Sequence, residues 1–177
     1  MGSLTCVELT VVGSSGSYPG PDSPASCYLL VAEQDGRTWR VVLDLGNGAL
    51  GALQRHVDPL LIDAVLLSHL HADHCLDLCG YYVMRKYHPS GPQPRIPVHG
   101  PAGTADRMAR AYDLDPDPGM RGEFDFLTWG EEPVVVGPFS ITTRAVNHPV
   151  QAFALRVECD GRVLVFSGDT ATSVAIE

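Results

Sequence analysis

The run Asp63-Ala64-Val65-Leu66-Leu67 leads directly into Ser68-His69-Leu70-His71-Ala72-Asp73-His74. A short, continuous apolar run is the pattern of a strand covered on both faces, as in the sheets of layered α/β domains. In such domains ligands bind at strand ends along one sheet edge, where loops converge while the strands hold them rigid. His69 and His71 are separated by one residue, so in extended chain both project to the same side and two imidazoles can grip one cation. Asp73 and His74 follow where the chain turns towards a helix, and their different direction suits a second cation or the open side of the first. Imidazole nitrogen and carboxylate oxygen are ligands that zinc prefers, and iron or manganese accepts them. An ordinary loop needs polar residues but not imidazoles at this density.

The flanking pattern supplies the rest of a layered domain. Strands are expected at Leu4 to Val12, Cys27 to Ala32 and Trp39 to Leu45, the last two joined by Gln34-Asp35-Gly36-Arg37 as a hairpin turn. The segment between the first two is dense in Gly, Ser and Pro and reads as a loop. Gly46, Gly48 and Gly51 lead into a short helix carrying Leu50, Leu53 and Val57, and glycine there suits either a tight turn or close backbone approach to a ligand. Leu76, Cys79, Val83 and Tyr87 recur at helical spacing until Pro89. Ile96 to His99 reads as a strand, Gly103 to Tyr112 as a helix and 113–125 as a connection. Strands follow at Pro133 to Val136, Ser140 to Asn147, Ala152 to Glu158 and Arg162 to Phe166, the last pair joined by Cys159-Asp160-Gly161. Ala171 to Glu177 begins like a helix. Several strands, a helix, another strand and helix, then more strands indicate one α/β layered domain over 1–177.

Composition narrows the function. The 177 residues are 45% hydrophobic and 19% charged, as in a folded domain. A formal charge of −9 argues against a large phosphate-binding face and hence against nucleic acid as partner. A small anionic substrate fits if a metal supplies the positive charge. The start Met1 to Val12 has no signal-peptide pattern and no stretch approaches a membrane span, so a cytoplasmic protein is expected. Five scattered cysteines fit reduced thiols better than a disulfide framework. Cys75 and Cys79, one helical turn apart beside the histidines, are read as buried thiols ahead of soft metal ligands.

Two further residues are candidates. His148 follows the strand Ser140 to Asn147 and precedes Pro149, so it can reach the same edge and complete a three-histidine site. Asp169 ends the last strand in Phe166-Ser167-Gly168-Asp169-Thr170, where it can bridge two metals or cap a helix. His56, His88 and His99 are isolated and read as structural. Paired cations activate a bound water as nucleophile near neutral pH, which suits hydrolysis of phosphoesters, amides, thioesters or lactones.

His69-x-His71-x-Asp73-His74, together with the strand-end Asp44, His148 and Ser167-Gly168-Asp169-Thr170, resembles the metallo-β-lactamase superfamily across the whole chain. The resemblance implies an αββα sandwich with a binuclear site at one edge of its two sheets. It places His69, His71 and His148 on the first metal, Asp73 and His74 on the second, and Asp169 between them. The same resemblance implies that Asp73 also orients the nucleophilic water. Two zinc ions are implied, with manganese or iron as substitutes. Superfamily members continue past the bridging aspartate to a final histidine, which no residue here supplies, so the expected sandwich lacks its C-terminal part. A bare sheet face of that kind invites a partner chain, a homodimer included.

The stretches TVVGSSGSYPGPDSPASCYLL and VFSGDT are most similar to the phosphodiesterase and tRNA 3′-processing branch. GPDSPASCYLL, GALGALQRHVDP, LLSHLHADHCLDL and RKYHPSGP are similar to actinobacterial atypical cyclic-nucleotide phosphodiesterases. The function so implied is metal-dependent hydrolysis of a small phosphodiester. A lactone or thioester hydrolase and a truncated, non-catalytic metal-binding domain are the alternatives.

Overall fold

Asp35 and Gly36, with φ of 52° and 77°, form the two-residue loop that joins β2 (Cys27–Gln34) to β3 (Arg37–Leu43). Positive φ at both positions gives the turn twist that matches paired strands. The same device, Asp160 and Gly161 at 50° and 72°, joins β9 (Phe153–Cys159) to β10 (Arg162–Phe166). These hairpins belong to two different sheets. The computed structural model describes residues 6–174.

The first sheet has six strands in the order β1-β2-β3-β4-β5-β6, with β1 at Val7–Gly13, β4 at Ala64–Leu66, β5 at Ile96–Gly100 and β6 at Phe124–Thr128. Its first three strands are antiparallel and β3 to β6 run parallel. Parallel neighbours require crossovers, and the helices α1 (Ala49–Leu53), α2 (Ala72–Cys75), α3 (Leu78–Lys86) and α4 (Thr104–Ala111) supply them. The second sheet is antiparallel, in the order β10-β9-β8-β7, with β7 at Val134–Val136 and β8 at Phe139–Ala145.

Alternation along the parallel strands builds two cores. Val42, Val65 and Val98 face the helices, where Leu53, Leu78, Tyr81, Tyr82 and Met108 cover them. Val41, Leu43, Ala64 and Leu66 face the second sheet and pack on Phe139, Ile141, Leu155 and Val157. Each fully buried Leu or Phe side chain contributes about 1.5–3 kcal/mol relative to exposure. A helical layer and two stacked sheets are thus present among the described residues, as expected of this architecture. Val135, Val163 and Val165 on the second sheet are exposed. No helix among the described residues is long and apolar enough to cross a membrane.

The structure corrects several sequence expectations. The strand expected at Asp63 to Ser68 is three residues long, because the Ser68 amide donates to Asp44 Oδ1 (2.8 Å) rather than to a neighbouring strand. The helix expected over Leu76 to Tyr87 is present as α3, and a separate turn, α2, precedes it within the histidine motif; between the two the Asp77 amide donates to the Leu45 carbonyl and Asp77 Oδ2 accepts from the Leu50 amide. The segment 113–125, expected to be connection, ends in β6. Phe124 is fully buried and pairs in parallel with Ile96. The helix expected from Ala171 does not start there: Ala171 to Ser173 is irregular and the Ala171 amide donates to the Asn147 carbonyl. Leu4, Thr5 and residues 175–177 lie outside the described residues.

Because β3, β4 and β5 are parallel, their C-terminal ends share one edge. Asp44 leaves β3 there, and the 68–74 segment leaves β4. The chain after β8 brings His148 to that edge, and the chain after β10 brings Asp169.

Candidate metal centre

Three imidazoles converge on one point. His69 Nε2 lies 3.2 Å from His71 Nδ1, and His148 Nε2 lies 3.1 Å from the same atom. Four nitrogens around a zinc ion, each at 2.0–2.1 Å, stand about 3.3 Å apart in a tetrahedron, so the spacing fits a shared cation. Among the described residues, the three ring atoms form one of two sets whose members lie within 4.8 Å of one another; the other set is His69, His74 and Asp169. His69 belongs to both, which places the sets side by side. Asp73 stands next to the second set, with Oδ2 3.3 Å from His74 Nε2, while Asp169 Oδ1 is 3.4 Å from that nitrogen.

All six residues singled out in the sequence, His69, His71, Asp73, His74, His148 and Asp169, are therefore brought to one edge. Asp73 belongs to neither compact set, and Asp169 is half-exposed. Cys75 is buried with its Sγ on the His71 carbonyl (3.2 Å), and burial raises its pKa to about 12. A thiol in that state packs as a small hydrophobe. His99 stacks on Trp129 (5.3 Å between centroids), and His88 bonds Ser90.

Asp44 organises the cluster from beneath. It is fully buried, has a φ of 56°, and its Oδ2 lies 2.5 Å from His74 Nδ1. Oδ2 also accepts from the hydroxyls of Ser26 and Ser68, each at 3.0 Å. With its proton committed to Asp44, Ser68 Oγ accepts from His69 Nδ1 at 3.1 Å. Both rings then carry their proton on Nδ1 and turn a bare Nε2 towards the cluster, the tautomer a metal ligand needs. In the sequence Asp44 enters only through the family resemblance, and no local pattern marks Ser26 or Ser68. The available signal was an isolated acid closing the apolar run Val41-Val42-Leu43.

Glycine permits the tight packing around this hub. A Cβ on Gly46 would lie 1.9 Å from the Asp73 carbonyl oxygen, so the approach Gly46 allows is to α2 rather than to a ligand. A Cβ on Gly168, φ 57°, would lie 2.8 Å from the Ser68 Cβ.

Charge follows from these contacts. Burial lowers the His69 pKa to about 3, and the neighbouring His74, His148 and His71 push in the same direction. His69 is thus neutral, with its lone pair available. Burial also opposes charge on His74, but the Asp44 hydrogen bond and the charges of Asp44, Asp169 and Asp73 outweigh it and raise the pKa. A cavity of about 330 Å³ opens beside His74 and Asp169 and is lined in part by Ser14, Gly16, Tyr28 and Phe166.

The profile of the Beta-lactamase superfamily domain matches residues 39–176, a span that contains Asp44 and the six candidate ligands His69, His71, Asp73, His74, His148 and Asp169. The chain belongs to the metallo-β-lactamase superfamily. It is 48% identical over 174 residues to the uncharacterized protein Rv1339 of Mycobacterium tuberculosis, a match covering 96% of this chain and 62% of that one. It is 30% identical to ribonuclease Z of Mycolicibacterium gilvum, over 93% of this chain and 62% of the relative. The crystal structure of the metallo-β-lactamase fold protein YhfI from Bacillus subtilis superposes with a TM-score of 0.74 at 25% identity, covering 92% of this chain and 63% of YhfI. The chain spans less than two thirds of the length of these relatives.

Proposed function

We propose that the chain carries the metal-binding part of a hydrolase that cleaves a small phosphodiester. The observation behind this reading is the convergence of His69, His71 and His148 on one point beside the His69, His74 and Asp169 set. In this reading the three histidine nitrogens hold one divalent cation, zinc first among candidates. Asp73 and His74 would hold a second, with Asp169 as a further carboxylate ligand. Such cations, when bound, acidify water and polarise a phosphoryl oxygen, which is the chemistry diester hydrolysis needs near neutral pH.

The chain's own groups do the rest. Asp44 holds His74 and, through Ser68, His69 in the tautomer that faces the centre. Asp73 Oδ2, beside His74 Nε2, is placed to accept a proton from the attacking water and to orient it. A phosphodiester is favoured because a sequence relative is a ribonuclease, whereas the formal charge of −9 favours a small anion over a long polyanion.

The test uses the full-length protein loaded with zinc or manganese. Bis(p-nitrophenyl) phosphate and cyclic AMP should be hydrolysed, and Asp73→Ala should lower turnover about 10²–10⁴-fold. Normal turnover by that variant would remove Asp73 from the mechanism. Parallel assays on a lactone and a thioester decide the bond class, and a metal content near two per chain is expected.

A further inference from the structure

A second cavity, of about 430 Å³, opens beside the cluster on its His71 side and is lined by Leu70, His71, Arg107, Val150 and Gln151 among others. Arg107 is half-buried on α4, and among the described residues its guanidinium has no ion pair, hydrogen bond or ring contact. Several other arginines are committed elsewhere: Arg37, Arg95, Arg121 and Arg156 to carboxylates, and Arg85 to the Pro94 carbonyl and the Tyr81 hydroxyl. The walls around Arg107 are tied together, since the Ala102 amide after β5 donates to Gln151 Oε1 (3.1 Å) before β9.

A guanidinium presents a planar fork of donors matched to phosphate oxygens. In a chain with net charge −9, a fork that lines a concave site beside His71 and has no partner among the described residues leaves a place for an anion. We propose that Arg107 forms an anion subsite that binds a second, terminal phosphate of a substrate whose scissile diester lies at the histidine cluster. This rests on the phosphodiesterase reading, and it makes Arg107 a specificity-determining residue. Substrates with a phosphate beyond the scissile one are preferred over those with the diester alone.

Two dinucleotides sharing one phosphodiester separate the cases: adenylyl-adenosine and its 5′-phosphorylated form. They are presented to the full-length, zinc-loaded protein, with KM read where they are cleaved and Kd by calorimetry where they are not. The 5′-phosphate should lower that constant about tenfold in the native protein. The ratio should fall to near one in Arg107→Ala and be partly kept in Arg107→Lys, with melting temperatures measured alongside to confirm folding. A ratio near one in the native protein, or one that survives Arg107→Ala, overturns the subsite. Failure to cleave either dinucleotide counts against the hydrolase reading alone, because the binding ratio still reports on Arg107.

Discussion

Asp44 shows how one buried carboxylate arranges several candidate ligands. It accepts from the Ser68 amide, two serine hydroxyls and His74 Nδ1, and holds two histidines in the orientation that exposes Nε2. Asp44→Asn keeps the shape but turns one acceptor into a donor facing donors. Metal affinity should fall about 10–100-fold, measured by titration with a chromogenic chelator, while the far-ultraviolet circular dichroism is retained. Gly46→Ala acts sterically, since its Cβ would meet the Asp73 carbonyl at 1.9 Å. We expect it to cost about 1–3 kcal/mol in urea unfolding and to weaken metal binding as α2 shifts. His99 gives a pH dependence. Burial lowers its pKa from 6.5, so the unfolded chain binds the proton more tightly than the folded one. Its contribution is intact above about pH 6.5 and is lost as pH falls towards the folded value. Among the described residues His99 Nδ1 has no partner, and the ring stacks on Trp129, so Phe fits in its place. Urea melts at pH 7.5 and 5.5 should show a shallower acid loss for His99→Phe than for the native protein.

Short elements carry the site. β4 is three residues long yet fully buried between parallel neighbours, and its end is set by the Ser68 amide leaving the ladder for Asp44. Periodicity located this strand but not its end, because the competing acceptor lies 24 residues away in sequence. β6 was not legible for a related reason. Its lead-in is rich in Pro, Asp and Gly, and its register comes only from the parallel pairing Ile96 to Gly100 with Phe124 to Thr128. Phe124 nonetheless fills the core against Tyr81, at 5.6 Å between ring centroids. Phe124→Ala should cost about 3–5 kcal/mol in equilibrium unfolding. A cost below 1 kcal/mol would place β6 outside the cooperative core.

At the scale of the whole molecule, the site exists because two sheets end at one edge. The first sheet delivers Asp44 and the 68–74 segment, and the second delivers His148 and Asp169, so cation binding ties one sheet to the other. Zinc at about 100 times its Kd should therefore stabilise the full-length protein by about 2.7 kcal/mol, seen as a higher melting temperature that a chelator reverses. An unchanged melting temperature would contradict a cation shared between the sheets. The sequence alone determined which residues could bind metal and that a strand precedes them, because ligand chemistry and strand periodicity are local properties. It also determined the layered α/β class, through the order of strands and helices. Only the tertiary structure decided that His69 joins two candidate ligand sets, that Asp44 orients His69 and His74, and that Arg107 stands beside His71 with no partner among the described residues. Those are facts about groups far apart in the chain, and their energies depend on burial and distances that no local pattern encodes.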